Sequence, residues 1–421
     1  MTTLAPPSRD AAVLPLPFTP VRPQAPVIPV PTSGFTKDKR PTILHFTYSI
    51  GGGGAEAMLV NLVESLDASR FRSVVVAVNA SPWPHAAKRL RDAGATLHDL
   101  EGEAYLQRGT LARLRMVLHA EQPDVMQTWM HHADLVGGWM ARIAGVKKVL
   151  WSIHCREIHR NPGESDTRMA FFRRALGLSS KFIPSRIVSC SAAAIEDHVK
   201  MGYPRKKMLW IPNGIDAGRF RPSEQARAAT RADLGIPDGA PLIGYVGRFH
   251  EMKDLPTFFR AAALLQQKMP EAHFVLCGGL EVELSESERE AFATIPNRSQ
   301  VRFVPFRADP WNLYPAFDVF TLSSRTEACP MTVIEAMACG VPCITTDAGD
   351  CGRLLDAVGH VVPLHDAQAL AEAWKVTASL DAATLHQIGE LSRCRVIEQF
   401  TIAGATKHYA ETYARLLKLP Q

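Results

Sequence analysis

Short apolar runs alternate with longer amphipathic stretches along most of the chain. Residues 42–48 and 73–78 have the composition of buried strands, whereas 55–66 carries its large apolar residues at helical spacing. Runs of both kinds continue to alternate as far as residue 211. This alternation predicts a parallel sheet with helices on both faces.

A turn-forming cluster, P-N-G-I-D at 212–216, interrupts the alternation, and a polar, charged segment follows at 221–239. We therefore expect a hinge near 213–225. A second alternating half then begins, and its predicted elements are 242–246, 255–267, 273–277, 301–304, 319–321, 331–338 and 342–345. The predicted fold class is α/β, with two Rossmann-like, doubly wound domains facing a cleft. Such folds bind ligands in the cleft.

These changes of pattern also set the predicted domain boundaries. Residues 1–38 carry nine prolines, which predict a disordered or polyproline-II tail. Residues 39–215 and 216–398 are predicted to be the two Rossmann-like domains. The amphipathic segment 399–421 could pack on the second domain or cross back to the first.

Composition narrows the class of protein. A chain of 421 residues with 46% hydrophobic residues fits two folded domains. The net charge of +5 gives little reason to expect nucleic acid as a partner. No apolar run reaches the roughly 18–20 residues of a membrane span. The N-terminus also lacks the plan of a signal peptide, so the expected location is the cytoplasm.

The cysteines give no sign of a disulfide framework or a metal site. The chain has eight of them, and none forms a C-x-x-C pair or has zinc spacing. We expect buried free thiols and no bound metal. The eight are Cys155, Cys190, Cys277, Cys329, Cys339, Cys343, Cys351 and Cys394.

Four consecutive glycines at 51–54 connect a predicted strand to a predicted helix. Gly53 and Gly54 would let a bulky group approach the backbone, and the helix start favours an anion. The segment lacks both the Lys-Ser/Thr of a P-loop and the spacing of a dinucleotide fingerprint. A ligand loop and a bare tight turn both remain open.

Two cations and two carboxylates in the second half could hold a ligand. Arg248 and Lys253 follow a predicted strand and could bind a diphosphate, although structural salt bridges are the alternative. Glu327 is predicted to precede a helix that contains Glu335. Sugar or ribose hydroxyls are suitable donors to such carboxylates, and a surface pair is the alternative.

Candidates in the first half are less specific. His154 ends the predicted strand 148–153 and should project into the cleft, while His131 and His132 end an earlier strand. Residues 142–186 contain ten Lys or Arg and three acids, mixed with large apolar residues. This composition suits an anionic membrane surface or a phosphorylated acceptor, or else a solvated helix face.

Together these motifs resemble the family-4 glycosyltransferases of group 1 type, which have the GT-B fold, over residues 41–421. The resemblance rests on G-G-G-G-A-E at 51–56, P-N-G-I-D at 212–216, G-R-F-H-E-M-K-D at 247–254 and the E-x7-E block at 327–335. Each motif is unspecific alone, but all four in this order are characteristic.

The resemblance implies a retaining, metal-independent enzyme with a nucleotide-diphosphate sugar as donor and no separate cofactor. Arg248 and Lys253 would neutralise the diphosphate beside Gly54, Glu327 would touch the transferred sugar and Glu335 the ribose. His154 would border the acceptor side, in the first domain. The final helix would return to that domain. The acceptor would be a cell-surface polysaccharide or a lipid-linked glycan at the inner face of the membrane.

The sequence departs from the family pattern twice. Ala328 replaces a frequent glycine, and the segment T-D-A-G-D-C-G-R-L-L at 346–355 lacks a frequent glutamate. Either change could alter which sugar is accepted. A sugar-nucleotide epimerase and a non-catalytic nucleotide-sugar-binding protein are the alternative functions. The basic, apolar segment 142–186 disfavours the first, and the retention of Arg248, Lys253, Glu327 and His154 disfavours the second.

Overall fold

The computed structural model describes residues 40–158 and 165–419. The proline-rich tail predicted at 1–38 lies outside these residues. The described chain forms two α/β lobes, each built on its own sheet of parallel strands. This arrangement confirms the predicted fold class.

The first lobe contains a seven-stranded sheet. Its strands β1–β7 are Thr42–Thr47, Arg72–Ala77, Thr96–Asp99, Val125–Trp129, Val149–Ile153, Arg186–Ser189 and Met208–Trp210. They lie in the order β3–β2–β1–β4–β5–β6–β7, and the adjacent pairs are parallel. The order reverses between β1 and β4, which is where open sheets of this kind form a ligand crevice.

Helices from the same part of the described chain pack on this sheet. Helices α1–α6 are Gly54–Ser65, Pro84–Asp92, Arg108–Glu121, His131–Ile143, Asp166–Ser179 and Ala192–Lys200. Helix α4 packs closely on the strands because it carries two glycines. A Cβ at Gly137 would lie 2.4 Å from the Phe46 ring, and one at Gly138 would lie 2.8 Å from the Trp151 indole nitrogen.

The second lobe contains a six-stranded sheet. Its strands β8–β13 are Leu242–Val246, His273–Cys277, Val301–Val304, Val319–Leu322, Cys343–Thr346 and His360–Val362. The order is β10–β9–β8–β11–β12–β13, again with a reversal, here between β8 and β11. Helices α7–α13 are Glu224–Asp233, Leu255–Gln266, Glu286–Ala293, Met331–Ala338, Cys351–Leu355, Ala367–Ala378 and Ala382–Gln399.

Helix α7 corrects the expectation of a polar connection at 221–239. Ser223 caps the helix by accepting a hydrogen bond from the backbone N–H of Ala226. Arg227 and Arg231 then reach the carboxylate of Asp318 at 2.5 and 3.3 Å. The charges therefore dock a helix onto the second lobe rather than solvate a linker.

The chain crosses between the lobes a second time near residue 401. Ile215 N–H donates to the carbonyl of Phe400 (3.0 Å), and Ile402 N–H donates to the carbonyl of Ile215 (2.8 Å). Gly214 permits this approach, because a Cβ there would lie 2.4 Å from the carbonyl oxygen of Thr401. The last helix, α14 (Ile402–Leu417), follows the crossing.

Helix α14 packs on the first lobe, against α1 and β4. Tyr409 and Tyr413 are fully buried in the first-lobe core. The Tyr413 hydroxyl donates to the side-chain oxygen of Gln127 in β4. The first lobe is thus assembled from two separate stretches of the chain.

The cysteines are free thiols throughout the described residues, and six of them are buried. Cys155 is half-buried and Cys394 is exposed, so the expectation of burial was wrong for Cys394. Among residues 40–158 and 165–419, no helix is both long enough and apolar enough to cross a membrane.

Candidate active site

The glycine turn at 51–54 lies at the carboxyl end of β1 and leads into α1. Gly52 has a φ of +93°, which favours glycine. The Trp83 ring packs on the turn, since a Cβ at Gly51 would lie 2.4 Å from it. Gly53 occupies the N-cap position of α1, and no described side chain caps the helix there. The start of α1 can bind an anionic ligand if the Glu56 carboxylate, which lies 2.6 Å from the Cβ position of Gly53, gives way to it.

This turn faces the second lobe. A Cβ at Gly54 would lie 3.8 Å from Sδ of Met331, the first residue of α10. Burial raises the pKa of Glu56, while the positive charge of Arg248 lowers it. The start of α1 and the loop after β8 thus meet along one boundary, which we call the interlobe seam.

Hydrogen bonds and ion pairs of neighbouring residues position the backbone of Lys253. It ends a short turn, and Asp254 follows with a φ of +49° at the start of α8. The Ser323 hydroxyl donates to the backbone carbonyl of Lys253 at 2.8 Å. The buried Asp254 carboxylate contacts Arg325 at 3.3 Å and His365 at 2.6 Å. These contacts fix the backbone from which the lysine side chain extends.

Lys253 and Glu327 form an ion pair. The distance from Nζ to Oε1 is 2.6 Å, and the side chains are 22% and 11% exposed. Ser324 donates to the same carboxylate oxygen at 2.6 Å. An ammonium group has three protons, so Lys253 can contact Glu327 and still donate to phosphate oxygens. Arg248, from the loop after β8, is exposed.

Glu335 lies about one turn inside α10. The Tyr314 hydroxyl donates to its Oε2 at 2.6 Å. Burial raises the pKa of Glu335 to about 7, against the lowering effect of the hydrogen bond from Tyr314. One carboxylate oxygen is thus already bonded, and the group can accept further hydroxyl protons.

His154 follows β5 and stacks on Trp129, with ring centroids 5.1 Å apart and an interplanar angle of 19°. Both ring nitrogens are buried, and neither has a hydrogen-bond partner in the described part of the chain. Burial lowers the pKa of His154 to about 4, although Asn213 raises it. The ring is therefore neutral at pH 7. Buried polar atoms without partners are costly and point to a ligand or a water molecule.

His131 and His132 take part in packing within the first lobe. His131 Nε2 lies 2.7 Å from His198 Nε2, and its Nδ1 lies 3.6 Å from Sγ of Cys155. His132 stacks on Phe172 with ring centroids 4.5 Å apart. These contacts are all with residues of the first lobe.

The described residues contain no group of three or more His, Cys, Asp or Glu side chains that could hold a metal ion. The charged groups at the seam are the Lys253–Glu327 ion pair and Arg248, whose charge acts on Glu56.

Two models of known protein families match the chain. The model described as "Glycosyltransferase Family 4" matches residues 52–219, and "Glycosyl transferases group 1" matches residues 226–390. Each model covers one lobe. The chain belongs to the family-4, group 1 glycosyltransferases. It is therefore a glycosyltransferase rather than an epimerase or a binding protein.

Curated relatives of this glycosyltransferase carry matching descriptions. The putative glycosyltransferase EpsF of Bacillus subtilis is 27% identical over 73% of this chain and 79% of its own length. The UDP-Gal:alpha-D-GlcNAc-diphosphoundecaprenol alpha-1,3-galactosyltransferase of Escherichia coli is 24% identical over 72% of this chain and 78% of its own length.

Solved structures share the fold of the glycosyltransferase. Anabaena HepE, in complex with UDP and glucose, superposes with a TM-score of 0.76 at 20% identity, over 89% of this chain and all of HepE. WaaG, a glycosyltransferase involved in lipopolysaccharide biosynthesis, gives a TM-score of 0.67 at 16% identity, over 88% of this chain and 99% of WaaG. Both comparisons support the two-lobe GT-B architecture.

Several side chains at the seam of the glycosyltransferase were not anticipated as site residues. Asn213 lies in the P-N-G-I-D motif, which offered a signal that was assigned to a turn. Its amide Nδ2 donates to the carbonyl of Cys329 at 2.9 Å. Tyr314 lies in no motif, Ser324 lies just before the E-x7-E block and Asp350 lies in the segment 346–355, and only the fold shows what they contact.

Proposed function

We propose that this glycosyltransferase moves a sugar, with retention, from a nucleoside-diphosphate donor bound at the interlobe seam to an acceptor. One observation carries the proposal. The start of α1, with Gly53 and Gly54, lies against Met331 of the second lobe. Glu56 in its first turn feels the charge of Arg248, while Lys253 and Glu327 pair in the same second lobe. A donor between the lobes would meet an anion site on one side and two cations on the other.

Each donor group has a suited partner in this arrangement. The diphosphate would bind Arg248, Lys253 and the first N–H groups of α1. Glu327 would accept hydroxyls of the transferred sugar, and Glu335 would accept those of the ribose. HepE was solved with UDP and with UDP-glucose, and the Escherichia coli relative is named for UDP-Gal. A uridine nucleotide is therefore the first base to test.

The chemistry proposed here is a displacement on one face of the sugar. The acceptor oxygen bonds to the anomeric carbon as the bond to the diphosphate breaks, and the hydroxyl proton passes to the departing phosphate oxygen. Lys253 and Arg248 stabilise the charge that develops on the diphosphate. Glu327 already accepts from Lys253 and Ser324, which makes it a poor nucleophile for a double displacement.

The same groups support activity without a divalent metal. Two cations and the positive end of the α1 dipole supply the charge that a metal ion provides elsewhere. The neutral ring of His154, whose nitrogens have no hydrogen-bond partner among the described residues, would border the acceptor hydroxyl. It can accept or donate one hydrogen bond there without adding charge.

An exposed apolar face on the first lobe supports a lipid-linked acceptor at an anionic membrane. Its exposed side chains, which we call the α4–α5 face, are Trp139, Ile143, Phe171, Leu178 and Phe182, exposed by 49–73%. Trp139 joins the two helices by donating to Ser179 at 3.1 Å. The exposed cations in the described part of the segment 142–186 are Lys147, Arg168, Arg173, Arg174, Lys181 and Arg186. Exposed aromatic groups and cations in one segment suit the headgroup region of a bilayer.

The test is UDP or GDP release from UDP-glucose, UDP-galactose, UDP-N-acetylglucosamine and GDP-mannose, first without acceptor and then with lipid-linked glycan acceptors. We expect one donor to be turned over equally well with and without EDTA. Anomeric coupling constants in the product should show the configuration of the donor. An inverted product would contradict retention, and a requirement for metal would contradict metal independence. Formation of an epimerised nucleotide sugar would contradict transferase activity.

A further inference from the structure

The segment at 346–353, which departs from the family pattern, joins the two lobes. Asp350 is 4% exposed, and its carboxylate accepts hydrogen bonds from the backbone N–H groups of Ala192 (2.7 Å) and Ala193 (2.9 Å). These N–H groups begin α6, in the first lobe. A second-lobe carboxylate therefore caps a first-lobe helix, where the helix dipole and charge-assisted bonds favour it.

The backbone around Asp350 holds the loop that carries Glu327. Asp350 N–H donates to the carbonyl of Ala328 at 3.1 Å. Gly349 has a φ of +61°, and a Cβ there would lie 1.8 Å from the carbonyl oxygen of Glu327. The turn thus presses directly against the Glu327 backbone. One residue links the start of α6, through its side chain, to the Glu327 loop, through its main chain.

The Asp350 side chain bonds the first lobe and not its own helix. Asp350 occupies the N-cap position of its own helix, α11, yet within the described residues its side chain makes no capping hydrogen bond there. A second contact crosses the same boundary nearby. The Arg353 guanidinium lies 5.4 Å from the ring centroid of Trp210, at the end of β7. This second contact runs to β7 rather than through the Glu327 loop.

We propose that Asp350 is a positioning residue for Glu327. The first lobe, by binding the Asp350 carboxylate at the start of α6, fixes the loop that presents the Glu327 carboxylate to the transferred sugar. This inference rests on the proposed function, because it requires Glu327 to contact that sugar. Under this inference, the contact between Glu327 and the transferred sugar depends on the first lobe, which carries the acceptor side.

The first experiment compares Asp350→Asn with a matched substitution. Asparagine keeps one acceptor oxygen but turns an NH2 group towards the N–H groups of α6. A displacement of about 1 Å at a reacting group costs roughly 100-fold in rate, so we expect kcat to fall about 10- to 100-fold, with a smaller change in KM. The rate is nucleotide release from the donor that the panel identifies.

The matched control is Asp366→Asn. Asp366 also caps a helix, α12, by accepting from Ala369 N–H at 2.8 Å, but both residues belong to the second lobe. We expect its kcat to match that of the unsubstituted enzyme. Arg353→Ala loosens the boundary without touching the Glu327 loop, and its effect on kcat should be several-fold smaller than that of Asp350→Asn.

A double-mutant cycle separates positioning from general stability. If Asp350 acts through Glu327, then Asp350→Asn lowers kcat in the unsubstituted enzyme and has no further effect on Glu327→Gln. If Glu327→Gln lowers kcat and the two effects multiply, the inference fails while the proposed function stands. If Glu327→Gln leaves kcat unchanged, the proposed role of Glu327 fails, and the inference fails with it.

A measurement without donor completes the test. Hydrogen exchange of the ligand-free protein should be faster in the segment 325–331 of Asp350→Asn than in Asp366→Asn. Equal exchange in the two variants would overturn the inference whatever the kinetics show.

Discussion

The ion pair between Lys253 and Glu327 joins two residues that are 74 positions apart in the chain. Each partly buried group has the other as its partner until a ligand enters. A diphosphate would compete for the lysine protons, while the sugar hydroxyls would compete for the carboxylate. The pair therefore holds both groups in place before the donor arrives, and binding exchanges partners rather than ordering free side chains.

Replacing Lys253 with alanine should lower kcat by roughly one to three orders of magnitude, because a cation beside the departing diphosphate is lost. Nucleotide release measures the effect. Lys268→Ala is the control, since Lys268 pairs with Glu372 on the surface of the same lobe, at 42% exposure. Turnover of the folded Lys253 variant at the control rate would contradict the proposed role.

Glu335 should make stability depend on pH. Its pKa in the folded protein is about 7, against an ordinary value of 4.5, so between these values only the folded state holds the proton. The free energy of unfolding should therefore fall as pH rises from 4.5 to 7, by up to about 3 kcal/mol. Glu335→Gln keeps the hydrogen bond from Tyr314 and should remove this part of the slope.

Urea unfolding of both proteins at pH 5 and pH 8 provides the comparison. A slope that is the same in the glutamine variant would show that the proton is held elsewhere.

At the residue scale, the sequence predicted which side chains to consider but not how they pair. Arg248, Lys253, Glu327 and Glu335 were found by their motifs and spacing. That Lys253 bonds Glu327, or that Tyr314 bonds Glu335, depends on contacts between distant segments. Motif spacing carries no information about such contacts, so the roles assigned to these residues and to His154, Gly53 and Gly54 stay predictions.

At the scale of elements, α5 shows how an outward-facing stripe forms. Phe171 and Leu178 are seven residues apart on this helix, which places them on one face, and both are exposed. Only four of its residues are buried: Met169, Leu176, Gly177 and Ser179. The helix therefore has large apolar residues on both faces. One face packs on the first lobe, and the other leaves apolar surface exposed.

Replacing Phe171, Leu178 and Phe182 together with serine should weaken sedimentation with anionic phosphatidylglycerol vesicles at least about tenfold, because each loses apolar area that a bilayer would bury. The matched control replaces three exposed apolar residues of the second lobe, Val282, Phe306 and Leu391. Equal sedimentation of the two triple variants would contradict membrane contact through the α4–α5 face.

Most elements follow from hydrophobic periodicity, but several do not. The elements that were not predicted are α5, α7, α9, α11, α12, α13 and β13. In α7 the buried residues are Thr230 and Arg231, which hold the helix through polar bonds rather than apolar contacts. Apolar spacing alone therefore predicts a polar segment where such a helix lies.

At the scale of the molecule, the two lobes are tied by the crossing at Ile215 and Thr401 and by α14. The sequence left two positions open for this last helix. Hydrophobic spacing shows that a helix has an apolar face but not which surface receives it. The contacts of Tyr409 and Tyr413 with first-lobe residues supply that information.

Tyr413→Phe should destabilise the protein by about 1–3 kcal/mol, since it leaves the buried side-chain oxygen of Gln127 without its donor. The free energy of unfolding in urea provides the measurement. Tyr48→Phe is the control, because Tyr48 also donates a hydrogen bond, to Glu103, but is 40% exposed. Similar losses in both variants would mean that the Tyr413 bond adds nothing to the docking of α14.

The position of α14 has a consequence for biosynthesis. Strands β1–β7 are synthesised early. The residues that complete the core around β1 and β4 follow about 200 residues after β7, and they are Ala405, Tyr409 and Tyr413. Although domains generally fold from the N-terminus onwards, here the second lobe can finish its own core while the first still exposes the surface that α14 will cover. Chains truncated before residue 402 and released from the ribosome should therefore hold a completed second lobe beside a first lobe open to chaperones.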